Sequence, residues 1–243
     1  DDVAGFTIVE LEGSTEVDES GTTDTFTVVL NAQPSSNVVL SISSSDTGEA
    51  TVTSLLTFTS SNWDTAQTVT VTGVDDDIID GSQNSTLTLS IVPAITDDDF
   101  DAVGDQTVSV STTDDDVAGF TIVELEGSTA VDESGTTDTF TVVLNAQPDS
   151  DVVLSIISSD TGEATVTSSL TFTSANWDTA QTVTVTGVDD DIIDGTISST
   201  ITISINDAAS DNNFDGVADQ TVTASTTDDD VAGFTIVELE GST

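Results

Sequence analysis

The sequence predicts an all-β protein made of tandem seven-stranded β-sandwiches, and three observations carry that reading. A stretch beginning Val-Ala-Gly-Phe-Thr-Ile-Val-Glu recurs at Val3, Val117 and Val231, each start 114 residues after the last. That spacing is the size of an independent domain and is too long for a solenoid unit. Apolar residues alternate with threonine and serine in short runs, the period-two mark of half-buried strands. No segment carries the 3.6-residue period of an amphipathic helix. The domains are therefore expected at residues 1–116 and 117–230, with 231–243 supplying the first strand of a third copy. The chain opens and closes inside the repeat, so the array, or a filament of such chains, is expected to continue past both ends.

In the first copy, residues 5–9 read as strand A, with Phe6 and Ile8 flanking Thr7. An acidic loop covers 10–21. Strand B is 24–30, with Phe26, Val28 and Leu30 on one face and Thr25 and Thr27 on the other. The turn 31–36, which contains Pro34, leads to strand C at 38–42. A loop at 43–49 precedes strand D at 50–58, and the turn 60–66 holds Trp63, read as a cap on the core. Strand E, 67–72, shows the cleanest alternation. An acidic segment at 73–81 precedes strand F at 86–91, and a long acidic loop at 96–105 precedes strand G at 106–111. Seven short strands separated by turn signals fit an immunoglobulin-like sandwich. The copies differ at 21 of 114 positions, 15 of them between Ser82 and Val110, so variation is concentrated around strands F and G.

The charge is one-sided. The chain holds 46 Asp and Glu, no Lys, Arg or His, and a formal charge of −46. Two carboxylates about 4 Å apart repel by roughly 4 kcal/mol at an effective dielectric near 20. Acidic clusters here have no side-chain counter-ion, so they either point into water or hold metal. The hydrophobic share of 35% and the mean hydropathy of +0.05 describe a folded chain with acidic ends, not a disordered one. Cysteine is absent, so no disulfide braces the domains. Without His, Cys, Lys, Arg or Tyr, enzymatic catalysis is confined to a carboxylate pair of the glycosidase type, with no aromatic cleft to serve it, and the chain is not expected to be an enzyme. The lack of basic residues argues against nucleic acid and anionic membrane surfaces as partners. No apolar run reaches transmembrane length, so direct membrane insertion is not expected.

Sandwich topology gathers acidic residues that are remote in sequence. The A–B, C–D and E–F loops and the end of strand G share one pole. Glu10, Glu12, Asp18, Glu19, Asp46, Glu49, Asp75, Asp76, Asp77, Asp80, Asp114, Asp115 and Asp116 are expected there. The second copy offers Glu124, Asp160, Glu163, Asp189, Asp190, Asp191, Asp194, Asp228, Asp229 and Asp230. Calcium takes six to eight oxygens in irregular geometry, and a carboxylate set without Cys or His excludes typical zinc sites. The F–G loop is a separate signal. Asp211, Asn213, Asp215, the Val217 carbonyl and Asp219 fit the first nine positions of an EF-hand-type loop, although Val222 stands where the bidentate Glu belongs. Its first-copy version offers Asp97, Asp99, Asp101 and Asp105, with Ala102 in place of the turn glycine.

The order Ile8-Val9-Glu10, Asp46-Thr47-Gly48-Glu49-Ala50, Leu56-Thr57-Phe58, Val69-Thr70-Val71 running into Asp75-Asp76-Asp77, and a closing Asp114-Asp115-Asp116 resembles the Calx-β domain. That family comprises calcium-binding sandwiches of sodium/calcium exchangers, integrin β4 and bacterial surface proteins. The resemblance implies calcium ligands at Glu10, Asp46, Asp75, Asp76, Asp77 and Asp114 to Asp116, with Asp80 as the acidic residue that follows the E–F run. Tandem repeats of large bacterial adhesins are similar too, which implies an extracellular location, secreted or on a bacterial cell surface.

The leading expectation is a structural module whose calcium sites stiffen a long adhesin, stalk or filament. Its partners would be neighbouring repeats of the same chain or like subunits. A second reading is a polymerising subunit whose last strand, from Phe234 to Val237, inserts into a neighbouring chain. A third is a passive module that binds a cell-surface glycan or protein.

Overall fold

The computed structural model describes residues 3–11, 13–125 and 127–237. It divides into two compact units, Asp1–Asp116 and Val117–Thr243. The first contains β1 (Phe6–Glu10), β2 (Thr15–Asp18), β3 (Thr23–Leu30), β4 (Val38–Ser44), β5 (Ala50–Val52), β6 (Leu55–Phe58), β7 (Gln67–Gly73), β8 (Gln83–Ile91) and β9 (Gln106–Thr113). They form a four-stranded sheet in the order β1-β3-β7-β5 and a five-stranded sheet in the order β2-β9-β8-β4-β6. The second unit repeats the plan with β10 (Phe120–Glu124), β11 (Thr129–Asp132), β12 (Thr137–Leu144), β13 (Val152–Ser158), β14 (Ala164–Val166), β15 (Ser169–Phe172), β16 (Gln181–Gly187), β17 (Ile197–Ile205) and β18 (Gln220–Thr227). Each unit is the β-sandwich that the alternation predicts.

The inward faces make the core. Phe26 and Val28 of β3, Leu40 of β4, Phe58 of β6, Val69 and Val71 of β7, and Leu87 and Leu89 of β8 are fully buried. Each such side chain contributes about 1.5–3 kcal/mol by leaving water. Trp63 packs half-buried against this cluster, and its carbonyl accepts the Leu30 N–H at 3.1 Å.

The structure departs from the seven-strand expectation at two places, and the described part of the third copy is a separate observation. The acidic loop 10–21 contains a strand, β2, which pairs in parallel with β9 from Thr15↔Val110 to Asp18↔Thr113. The sequence alternates Thr15 and Val17 with Glu16 and Asp18, but the acidic neighbours mask the pattern; in the structure Thr15 and Val17 are buried and Glu16 is exposed. The expected strand D is two strands: β5 pairs with β7 and β6 with β4, so the chain changes sheet between Val52 and Leu55. Finally, residues 231–237 form no strand, and Phe234 is 88% exposed. In the first two copies the matching phenylalanines pair with Leu30 and Leu144. Residues 231–237 have no such partner strand among the described residues, and 238–243 lie outside those residues. No helix of the described residues is long and apolar enough to cross a membrane.

Candidate metal centre

Hydrogen bonds from backbone N–H groups stitch four acidic segments together at one pole of the first unit. The Glu19 N–H donates to the carbonyl of Thr113, next to Asp114, at 3.1 Å. The Val74 N–H at the end of β7 donates to the Glu49 carbonyl at 2.9 Å. The Gly81 N–H, from a residue at φ 71°, donates to the Asp114 carboxylate at 2.7 Å. That positive φ suits glycine. Asp76 and Asp114 each close a local turn, accepting from the Ile78 and Asp116 N–H groups at 2.7 and 2.8 Å. The second unit keeps the pattern, with Glu133 on Thr227, Val188 on Glu163 and Gly195 on Asp228.

The carboxylates so gathered are buried and short of donors. Glu19 is 1% exposed and Glu49 8%. Oε2 of each, and Oδ2 of Asp116, are buried without a hydrogen-bond partner among the described residues. In the second unit both oxygens of Glu133, Oε2 of Glu163 and Oδ2 of Asp230 are in the same state. Burying a carboxylate costs several kcal/mol unless it is protonated or paired. Burial pushes the Glu19 carboxyl up to about 7, helped by the charges of Asp114, Asp76, Glu49 and Asp80. Burial, then Asp114, Asp77 and Asp115, raises Asp116 to about 6. Glu49 is raised by burial and then by Asp80, Asp76 and Asp46. Burial likewise raises Glu133, then Asp228; Glu163, then Asp194 and Asp160; and Asp230, then Asp191.

Among the described residues there are three groups in which one carboxylate oxygen from each member lies within 4.8 Å of the others: Glu19 with Asp76 and Asp116; Glu133 with Asp228 and Asp230; and Glu133 with Glu163 and Asp194. Glu133 belongs to two of them. Converging hard oxygen donors without sulfur or nitrogen match calcium chemistry and fit an irregular shell better than the strict octahedron of magnesium.

Most residues expected at this pole are found there. Asp46, Glu49, Asp76, Asp77, Asp80, Asp114, Asp115 and Asp116 act on one another through the charge interactions just described. Asp160, Glu163, Asp189, Asp190, Asp191, Asp194, Asp228, Asp229 and Asp230 do so in the second unit. Asp75 is exposed on the same loop, outside the three groups, and Glu12 lies outside the described residues.

Glu10 and Glu124 enter none of the three groups found among the described residues. They end β1 and β10 opposite Phe26 and Phe140, and line shallow grooves with Gly13 and Ser14, and with Gly127 and Ser128. The four residues of β2 carry the chain about 13 Å further before it reaches the pole. The residue that does reach it is Glu19, expected at the pole by topology but not singled out as a ligand. The available signal in the sequence was the alternation of Thr15 and Val17 with the charged Glu16 and Asp18, which sets Glu19 on the same side as Thr15 and Val17.

The EF-hand-like loop is built on a capped turn. Asp97 is 4% exposed and accepts from Ser35 Oγ and the Ser36 N–H, both at 2.7 Å, and from the Asp99 N–H at 3.1 Å. These donors hold its carboxyl down at about 2. It caps a single 3-10 turn, Asp98–Phe100, whose Phe100 is buried. Asp211 accepts from the Ser150 and Asn213 N–H groups at 2.8 and 2.9 Å and caps Asn212–Phe214 in the same way. Asp99, Asp101, Asp105, Asp215 and Asp219 enter no carboxylate group among the described residues.

Fold and site together define a class: a β-sandwich repeat with a pole of buried, unpaired carboxylates. No family model matches the chain, and no curated protein matches it. Among solved structures it is similar to the calcium binding domain CBD12 of CALX1.1, at 16% identity and TM-score 0.34 over 83% of this chain and 79% of that one. It is similar to the apo form of the Calx CBD1 domain, at 17% identity and TM-score 0.35 over 47% of this chain and 99% of that one. Domains 4 and 5 of the S-layer protein SbsC are similar at 18% identity and TM-score 0.37, over 77% of this chain and 76% of that one.

Proposed function

We propose that each repeat is a calcium-binding, non-enzymatic structural module of an extracellular protein, an adhesin, stalk or filament secreted or displayed on a bacterial surface. One observation carries the reading. Two glutamates per repeat are at least nine-tenths buried with an oxygen that meets no donor among the described residues, in a chain that has no cationic side chain. Glu19, Glu49, Asp76, Asp80, Asp114 and Asp116 would hold the ion in the first repeat, and Glu133, Glu163, Asp190, Asp194, Asp228 and Asp230 in the second. Bound calcium supplies the positive charge that the pole lacks. The residues do the rest: the stitched backbone brings the carboxylates together before the ion arrives, and their mutual repulsion is what its binding relieves. Asp116 is bonded directly to Val117, so fixing Asp114 to Asp116 also fixes the segment that enters the next repeat. Neighbouring repeats are the proposed partners. Calcium in millimolar excess is available outside cells, where modules of this kind bind at about 10⁻⁴–10⁻³ M.

The test pairs thermal unfolding with solution scattering, each run in calcium and in chelator. The expected outcome is a lower melting temperature and a shorter maximum dimension after chelation. A melting temperature indifferent to calcium overturns the binding, and an unchanged scattering profile overturns the stiffening.

A further inference from the structure

Gly73 and Gly187 close β7 and β16 at the edge of the two carboxylate clusters. A Cβ on Gly73 would lie 2.1 Å from the Asp18 carbonyl oxygen, 2.8 Å from its carbonyl carbon and 3.3 Å from its nitrogen. A Cβ on Gly187 would meet Asp132 at the same three distances. Every one of these atoms is backbone, so no side chain can swing aside. Neither glycine has a positive φ, so the requirement is for space and not for a left-handed conformation.

The crowded atoms belong to the residue bonded to the buried glutamate. Asp18 precedes Glu19 and Asp132 precedes Glu133. The connection is held tightly on the same glycine. The Gly73 N–H donates to the Thr22 carbonyl at 3.0 Å, and the Asp18 N–H donates to Thr22 Oγ1 at 2.7 Å. The Ser20 N–H donates to the Asp18 carboxylate at 2.9 Å, and the Gly21 N–H to the Asp18 carbonyl at 3.1 Å. The residue after Gly73 holds the other glutamate segment, through the Val74 N–H on the Glu49 carbonyl at 2.9 Å. One dipeptide at the end of β7 therefore sets both the Glu19 and the Glu49 backbone.

We propose that Gly73 and Gly187 are positioning residues of the two cation sites: the missing side chain lets the Asp18–Thr22 and Asp132–Thr136 connections close down far enough to bring Glu19 and Glu133 into the carboxylate groups. The proposal rests on the reading above that this pole binds calcium. Ordinary carbon contacts need about 3.5 Å, so a methyl group here drives the connection outward by roughly 1 Å or more. That displacement falls on a ligand-bearing segment. Disturbing the residues that orient metal ligands costs about 10–100-fold in affinity.

Calcium titration calorimetry on the full chain tests this, comparing Gly73→Ala, Gly187→Ala and the double variant with Gly104→Ala. Gly104 is a matched control, since its Cβ would meet nothing within 4 Å and the second copy already carries Ala218 there. Each single variant is expected to weaken calcium binding about 10–100-fold in one repeat and leave the other repeat's ions in place. The double variant weakens both, and Gly104→Ala neither. A role confined to stability predicts a lower melting temperature with unchanged affinity in the folded protein. Should Gly73→Ala unfold its repeat, seen as a loss of about half the strand signal in circular dichroism, the titration moves to Thr22→Val. That variant removes the hydroxyl that accepts the Asp18 N–H; several-fold weaker binding upholds the proposal and unchanged binding overturns it. Unchanged affinity in Gly73→Ala overturns the positioning role and leaves the calcium reading standing. No calcium uptake by the unsubstituted chain overturns both.

Discussion

Asp97 and Glu19 sit at opposite poles of the same sandwich, and each is almost completely buried, at 4% and 1% exposure. Their chemistry is opposed. Asp97 meets three donors within 3.1 Å and its carboxyl falls to about 2. Glu19 has an oxygen that meets none among the described residues, faces four other carboxylates, and rises to about 7. Both loops are acidic in sequence. The donors supplied by the fold make one a structural cap, and the other is the carboxylate that the proposed cation would neutralise.

The largest expected effect is loss of the cation. A ligand present at a hundred times its dissociation constant adds about 2.7 kcal/mol per site to folding stability. Chelation should remove that contribution, and unfolding by denaturant in calcium and in chelator measures it. Glu19→Gln should abolish the calcium increment of the first repeat while raising the melting temperature in chelator at pH 8, because a neutral isostere replaces a repelled charge. An equal increment in the variant and the parent would place the site elsewhere.

Asp97→Ala comes next. It strands the Ser36 and Asp99 N–H groups and should cost about 1–3 kcal/mol. Calcium affinity, read by the same titration, should not change. A weaker calcium response in this variant would place a metal site at the F–G loop.

The two residues also respond to pH with opposite sign. Glu19 binds its proton more tightly in the folded state, where its carboxyl titrates at about 7 against an ordinary 4.5. The calcium-free protein therefore loses stability as pH rises through that window, since the unfolded chain holds fewer protons there. Asp116, raised from 3.8 to about 6, works in the same direction at lower pH. Asp97, lowered from 3.8 to about 2, contributes stability that is full above its ordinary range and is lost as pH falls toward 2. Calcium-free unfolding should show highest stability between these windows, near pH 4–5, by the same linkage. A calcium-free protein more stable at pH 8 than at pH 5 would contradict the burial of Glu19.

The smallest effect is expected at Glu10. Glu10→Gln, on an open groove outside the cluster, should shift stability by less than about 0.5 kcal/mol and leave calcium binding alone. A loss of calcium affinity there would restore the end of strand A as a ligand.

The chain by itself determined the repeat, the sandwich and the acidic pole. Alternation in 24–30 and 67–72 specifies inward faces, and sandwich topology then places Glu49, Asp76, Asp80 and Asp114 at one end whatever the details. Three things waited for the tertiary structure. Glu19, not Glu10, reaches the pole because β2 pairs with β9 in parallel, a contact between residues far apart in sequence. The EF-like spacing of Asp211 to Asp219 became a capped turn because Ser150, from a distant turn, supplied a donor to Asp211. Gly73 reads as an ordinary strand end until the Asp18 backbone is seen against it. Period and charge are written locally along the chain. Burial and the supply of hydrogen-bond donors depend on which remote segments meet, and they decide which of many carboxylates lacks a partner.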